Sequence, residues 1–167
     1  MTLQDLNKLT EKTFFTEMEK CCGSSTWVNN MYRQRPFNSL EDLIQKADLV
    51  WGQTNETDWL EAFNHHPKIG DLKSLEKKFA STKTLAGAEQ ASVESASRQT
   101  LLDLATGNEA YENKFGFIFI VCATGKSAEE MLQLLNSRIG NDKETELRAA
   151  VAEQQKITTL RLKKIIS

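Results

Sequence analysis

Proline occurs only twice in the 167 residues, at Pro36 and Pro67, and glycine only eight times. Everything after Pro67 is free of the residue that most strongly breaks a helix. The rest of the chain is rich in Leu, Ala, Glu, Lys and Gln, which favour helix. The fold class read from this is all-α: one compact domain over residues 1–167, built as a bundle of seven to nine helices. A chain of this length buries about 70% of the surface its unfolded form exposes, so it needs neither disulfides nor a metal to fold. Lys and Arg number 21 against 23 Asp and Glu, a formal net charge of -2, which argues against a nucleic-acid partner. The longest apolar stretch, Phe115 to Ala123, contains Gly116 and is too short to span a membrane. Met1 to Leu9 contains Asp5 and Lys8 and lacks a basic-then-apolar leader. Three cysteines, two of them adjacent (Cys21, Cys22), make a poor disulfide framework, and a reduced cytoplasmic protein is expected.

Local patterns mark the helices. Leu6, Leu9, Phe14 and Met18 space a buried face from about Thr2 to Cys22, stopped by Gly23 and broken near Thr10. A helix from Ser25 to Gln34 ends before Pro36. Ser39 caps Leu40 to Trp51, and Thr57 is read as capping Trp59 to Asn64. His65 to Asp71 reads as a turn, Leu72 to Ala80 as helix and Ser81 to Thr84 as a loop. Leu85 to Thr106 reads as one helix or two, followed by Asn108 to Lys114. Ser127 and Glu130 form a capping box, and Gly140 is placed to end that helix. The last helix starts near Asp142. Phe117 to Ala123 resists a helical reading; a lone strand forms no sheet, so an extended buried segment or a distorted helix remain.

Candidate chemistry is sparse. There is no phosphate-binding glycine loop, no paired Cys-x-x-Cys, no Gly-x-Ser-x-Gly elbow and no metal-ligand spacing. His66 precedes Pro67, which restricts its backbone and holds it in a turn at a helix end. It either simply ends the helix or serves as a positioned acid or base. On the last helix Leu147, Ala150, Val151, Ile157, Leu162 and Ile165 share a stripe, and Arg161 falls inside it. That arginine either snorkels to the helix edge or is a buried cation awaiting a carboxylate. Glu89-Gln90 lies in an Ala-rich stretch that suits either a solvated helix face or close approach by a ligand. The cysteines are read as small core residues.

Together these segments resemble a known family. Gln34-Arg35-Pro36-Phe37, Phe63-Asn64-His65-His66-Pro67-Lys68-Ile69-Gly70, Glu89-Gln90, Tyr111 to Phe119, and Lys156-Ile157 with Leu160-Arg161-Leu162 are similar, in order and spacing, to the motifs of 2-oxo-4-hydroxy-4-carboxy-5-ureidoimidazoline (OHCU) decarboxylase. The resemblance covers nearly the whole chain. It implies the last step from urate to (S)-allantoin: loss of CO2 from OHCU and protonation on one face, without cofactor or metal. It implies His66 as proton donor, with Glu89 and Arg161 as further catalytic residues. Substrate-binding residues by the same resemblance are Pro67, Ala86, Gln90, Phe119, Ile120, Val121, Cys122 and Ala123. Ala86 departs from the family, which commonly has Ser there. Arg138 resembles another family arginine and is read as structural. A homodimer is also implied.

The substrate so implied supplies its own electron sink, because the carboxylate-bearing carbon adjoins a C=N bond. The protein would then have to hold the carboxylate out of the ring plane, stabilise charge on the ring and deliver a proton. Two other readings stand beside this one. A helical binding module without catalysis is favoured by Ala86. A hydrolase of a related ureido ring would need an activated water.

Overall fold

A computed structural model describes residues 1–67, 72–79 and 88–167. The described residues form nine helices and no strand: α1 Leu3–Lys8, α2 Glu11–Glu19, α3 Ser25–Arg33, α4 Leu40–Gly52, α5 Glu56–Asn64, α6 Leu72–Phe79, α7 Ala88–Phe115, α8 Ala128–Arg138 and α9 Lys143–Ile165. The all-α expectation is met. Short polar side chains set many of the starts. Thr2, Thr10, Ser24, Ser39 and Ser127 each accept from the backbone N–H three residues on, satisfying a donor the helix itself leaves unpaired. Thr10 in particular splits the first helical region where the sequence placed a break.

The chain divides into two compact units, Met1–His66 with Ala149–Ser167, and Pro67–Arg148. The core of the first gathers Leu6, Phe14, Met18, Trp27, Met31, Leu43, Val50, Trp51 and Leu162. Its three indole N–H groups all find acceptors: Trp27 on the Ala47 carbonyl, Trp51 on the Val151 carbonyl and Trp59 on the Thr54 hydroxyl. Arg35 lies over the rings of Tyr32 (3.8 Å) and Phe14 (4.9 Å) and donates to the carbonyls of Asn7 and Leu9. The Asn7 amide exchanges two hydrogen bonds with the Phe37 backbone, each 2.8 Å. The early Gln34-Arg35-Pro36-Phe37 motif is thus a tie between the α1–α2 corner and the segment before α4.

The second unit packs α7 against both α6 and α8. Leu75, Leu101, Leu104, Met131 and Leu135 form its core. Gly107 lies inside α7 instead of dividing it. A Cβ there would come within 2.9 Å of Leu135, so the glycine allows α8 to approach closely. At φ 80, Gly116 ends α7 in the left-handed conformation that glycine tolerates. From there residues 118–123 run in neither helix nor strand.

Several boundaries differ from the sequence reading. The cap of α5 is Asn55, not Thr57: Asn55 and Asp58 form a reciprocal capping box that starts the helix at Glu56. Gly140 follows the C-cap Ile139 without a positive φ, which among described residues only Gly116 and Gly125 adopt. Gly23 does not stop α2, which ends at Glu19; it serves a close contact described below. The expected Ser81–Thr84 loop, and the residues beyond His66-Pro67 in the expected turn, lie outside the described residues.

Candidate active site

His66 follows directly on the last turn of α5. Its N–H still bonds back to the Phe63 carbonyl at 3.2 Å, so the ring hangs from a helix end and not from a free loop. The ring is half-buried and its Nε2 lies 2.5 Å from Gln154 Oε1. Burial lowers its pKa from the usual 6.5, the nearby Arg161 and His65 act in the same direction, and the hydrogen bond to Gln154 opposes them. Gly23 makes room for this turn: a Cβ there would lie 2.2 Å from His65 Cγ, so any side chain at residue 23 displaces His65.

Arg161 is half-buried on α9, and its Nη1 donates to the carbonyls of Lys20 (3.3 Å) and Cys21 (3.5 Å). These carbonyls lie just past the end of α2, where a helix leaves acceptors unpaired and its dipole favours a cation. Among the described residues no carboxylate forms a salt bridge with Arg161. The guanidinium is therefore oriented without being neutralised.

Both side chains line one cavity of about 470 Å³, within the first unit. That size suits a small molecule, for which pockets run to roughly 300–1,000 Å³. Lys20, Lys164 and Arg161 at its walls outnumber Glu19, so the cavity favours an anion. Cys21 also lines it, but burial pushes its thiol up to about 12 and that of Cys22 up to about 11, and neither is a ready nucleophile. All three cysteines are buried and none forms a disulfide, as small core residues.

The other residues singled out in the sequence belong to the second unit. Pro67 is exposed. Glu89 and Gln90 lie in the first turn of α7, and Ala86 is outside the described residues. Phe119 to Ala123 lie in the segment between α7 and α8, in which Ile120, Val121 and Cys122 are buried. Arg138 holds that segment: its Nη1 donates to the Ile120 carbonyl at 2.7 Å and its guanidinium lies 4.6 Å from the centre of the Phe119 ring. Glu146, with no exposed surface, accepts from Arg138 Nε at 2.7 Å, from the Tyr111 hydroxyl and from Asn141. Burial, then the bond to Glu146, raises the Tyr111 pKa far above its usual value. Among the described residues no group of three His, Cys, Asp or Glu is placed to hold a metal ion, and no helix is long and apolar enough to cross a membrane.

Three interacting residues escaped the sequence reading: Gln154, which meets His66, Thr158, which meets Gln154, and Glu146, which meets Arg138. A signal existed for the first two. Ala150, Gln154 and Thr158 recur every four residues and continue toward Arg161, so two polar side chains sit on the core-facing stripe of α9. Both are buried, whereas Ile157, expected on that stripe, is only half-buried.

An imidazole at a helix end and a guanidinium without a salt bridge among the described residues line one small cavity rich in cations, an arrangement chemically able to do acid–base work on a small anion. The chain belongs to the OHCU decarboxylase family, whose model matches residues 7–163. It is 39% identical over 151 residues to the uric acid degradation bifunctional protein TTL of Arabidopsis thaliana, covering 90% of this chain and 47% of that one. To the 2-oxo-4-hydroxy-4-carboxy-5-ureidoimidazoline decarboxylase of Haloferax volcanii it is 27% identical over 165 residues, covering 97% and 94%. A crystal structure of OHCU decarboxylase in the presence of (S)-allantoin superposes with a TM-score of 0.72 at 39% identity, covering 89% of this chain and 96% of that one. The chain spans about half or less of the length of the bifunctional relatives it matches.

Proposed function

We propose that this protein decarboxylates OHCU to (S)-allantoin, the last step from urate, with residues 1–167 acting as one functional domain. The observation that carries this reading is the convergence of His66 and Arg161, distant in sequence, on one cavity of about 470 Å³. Family membership supports it. In the reaction the bond from the ring to the carboxylate breaks and CO2 leaves. The released pair forms a double bond to the ureido-bearing carbon, and the former C=N nitrogen takes the charge. The ureido-bearing carbon then takes a proton from His66 on one face, while the adjacent hydroxyl becomes a carbonyl and its proton neutralises the charged ring nitrogen.

Arg161 cannot help merely by gripping the carboxylate, because decarboxylation disperses that charge and only contacts stronger in the transition state accelerate the step. Its anchorage on the carbonyls of Lys20 and Cys21 suits another role. It presents a rigid fork that holds the carboxylate out of the ring plane or meets the charge growing on the ring. Glu89 would orient the substrate hydroxyl, and Gln90 with the backbone of Phe119 to Ala123 would hold the ureido and ring amides. Pro67 and Ala86 complete the substrate-binding set by resemblance. The remaining expectations are a homodimer in the cytoplasm that works without cofactor.

The test generates OHCU from urate with upstream enzymes and follows the optical activity of the allantoin formed. The expected product is the S enantiomer alone. His66→Ala should fold and lose on the order of 10²-fold or more in turnover. Racemic product at the spontaneous rate from the intact protein would leave a binding module in place of an enzyme.

A further inference from the structure

Only one ring nitrogen of His66 is free to meet a substrate. Nε2 faces Gln154 Oε1 at 2.5 Å, and Gln154 is wholly buried. The amide nitrogen of Gln154 lies 3.2 Å from Thr158 Oγ1, and that hydroxyl lies 3.4 Å from the Cys21 carbonyl. The direction of this chain is set from its far end. A carbonyl only accepts, so the Thr158 hydroxyl donates to it. The hydroxyl oxygen then accepts from the Gln154 NH2, which turns the amide oxygen toward His66. An acceptor at 2.5 Å requires the proton to be on Nε2. The inverted arrangement would bring two oxygens, those of Thr158 and Cys21, together with no proton between them.

We propose that Gln154 is a positioning residue that holds neutral His66 as the Nε2–H tautomer and so makes Nδ1 the atom through which His66 exchanges its proton with substrate. In the decarboxylation the Nδ1–H bond of the imidazolium breaks and its electron pair stays on Nδ1. The proton joins the ureido-bearing carbon using the pair of the carbon–carbon double bond, and the ring returns to neutral with Nε2–H still on Gln154. The kinetic part of this rests on the decarboxylase reading; the placement of the proton does not.

The charged and titratable groups that share the cavity with His66 are His65 beside it, Glu19 and Lys20 at the end of α2, Cys21, and Arg161 and Lys164 on α9. None is an acceptor that could replace Gln154 at Nε2 among the bonds of the described residues.

The chain has only two histidines, so imidazole ¹⁵N spectra resolve the matter, with His66→Ala assigning the signals. Above its pKa, His66 should show a protonated Nε2 and a bare Nδ1. Gln154→Leu keeps the bulk and removes the acceptor; it should move neutral His66 to a mixture of tautomers. Its kcat should fall roughly tenfold to a hundredfold, a part of what a general acid contributes, with a much smaller change in KM. Gln154→Glu places a carboxylate at Nε2 and should raise the His66 pKa. A bare Nε2 in the unaltered protein overturns the proposal, and that measurement needs no variant to fold. An unchanged tautomer ratio in Gln154→Leu overturns it as well. Nε2–H in a protein that yields racemic allantoin overturns the activity alone, and enantiopure product with Nδ1–H overturns the proton placement alone.

Discussion

Arg161 and His66 share a cavity, and the guanidinium acts on the charge of the ring. Burial of the ring and then the guanidinium favour neutral imidazole, so the His66 pKa lies below 6.5 in the free protein. The consequence for stability follows from proton linkage. Between the lowered folded pKa and the unfolded value the unfolded chain binds more protons, so the contribution of His66 is fully present above pH 6.5 and is lost as pH falls through that window. For catalysis the sign is opposite, because a general acid must be protonated. The kcat/KM profile should lose activity as pH rises through a value below 6.5, and the kcat profile should do so at higher pH, once substrate carboxylate offsets Arg161. Arg161→Gln should move the His66 titration, followed by NMR, upward toward 6.5; an unmoved titration would show that the two charges do not interact. At this scale the sequence was partly legible. His66-Pro67 and Arg161 stand out by chemistry and phase, whereas the acceptors of Arg161 are main-chain carbonyls and carry no letter in the sequence. Gln154 is a common helix residue, marked in the sequence only by its place on the core-facing stripe of α9.

Helix boundaries are won by whichever capping side chain satisfies more donors. Asn55 with Asp58 satisfies two and defeats Thr57, an exposed residue within the first turn of α5. Asn55→Ala should therefore cost about 1 kcal/mol, and Thr57→Ala less than about 0.5 kcal/mol, by chemical denaturation. A reversed order of the two would return the cap to Thr57. Where a cap or a following proline marked an end, as for α3, α4 and α8, the elements were readable to within a residue or two. Gly107 was not readable, because a glycine that stops a helix and one that admits a neighbouring helix look alike until Leu135 is seen against it. The aromatic run after Gly116 was ambiguous for a similar reason. Tyr111, Phe115, Phe117 and Phe119 pack ring against ring, with no sheet to join.

Helix α9 is one unbroken element whose residues are counted in both compact units. Glu146 belongs to one of them, and Gln154, Thr158 and Arg161 to the other. Removing Glu146 strands the buried charge of Arg138, which typically costs about 3–5 kcal/mol. Glu146→Ala should thus lower the melting temperature by roughly 10 °C. All three tryptophans lie in the first unit, so their fluorescence reports on the unit that does not contain Glu146. If α9 couples the units, fluorescence and far-ultraviolet dichroism fall together; fluorescence unmoved while dichroism shifts would show separate melting. The Cys21 oxygen has a subtler standing. Both Thr158 and Arg161 finish on it, although they lie at the opposite end of the chain. Because it is part of the peptide backbone, no exchange of one amino acid for another deletes it, and a scan of point variants would pass over residue 21 as mere filling. Only a chemical edit of the main chain, an α-hydroxy acid in place of Cys22 that turns the 21–22 amide into an ester, weakens that oxygen as an acceptor and reaches acid and guanidinium in a single stroke.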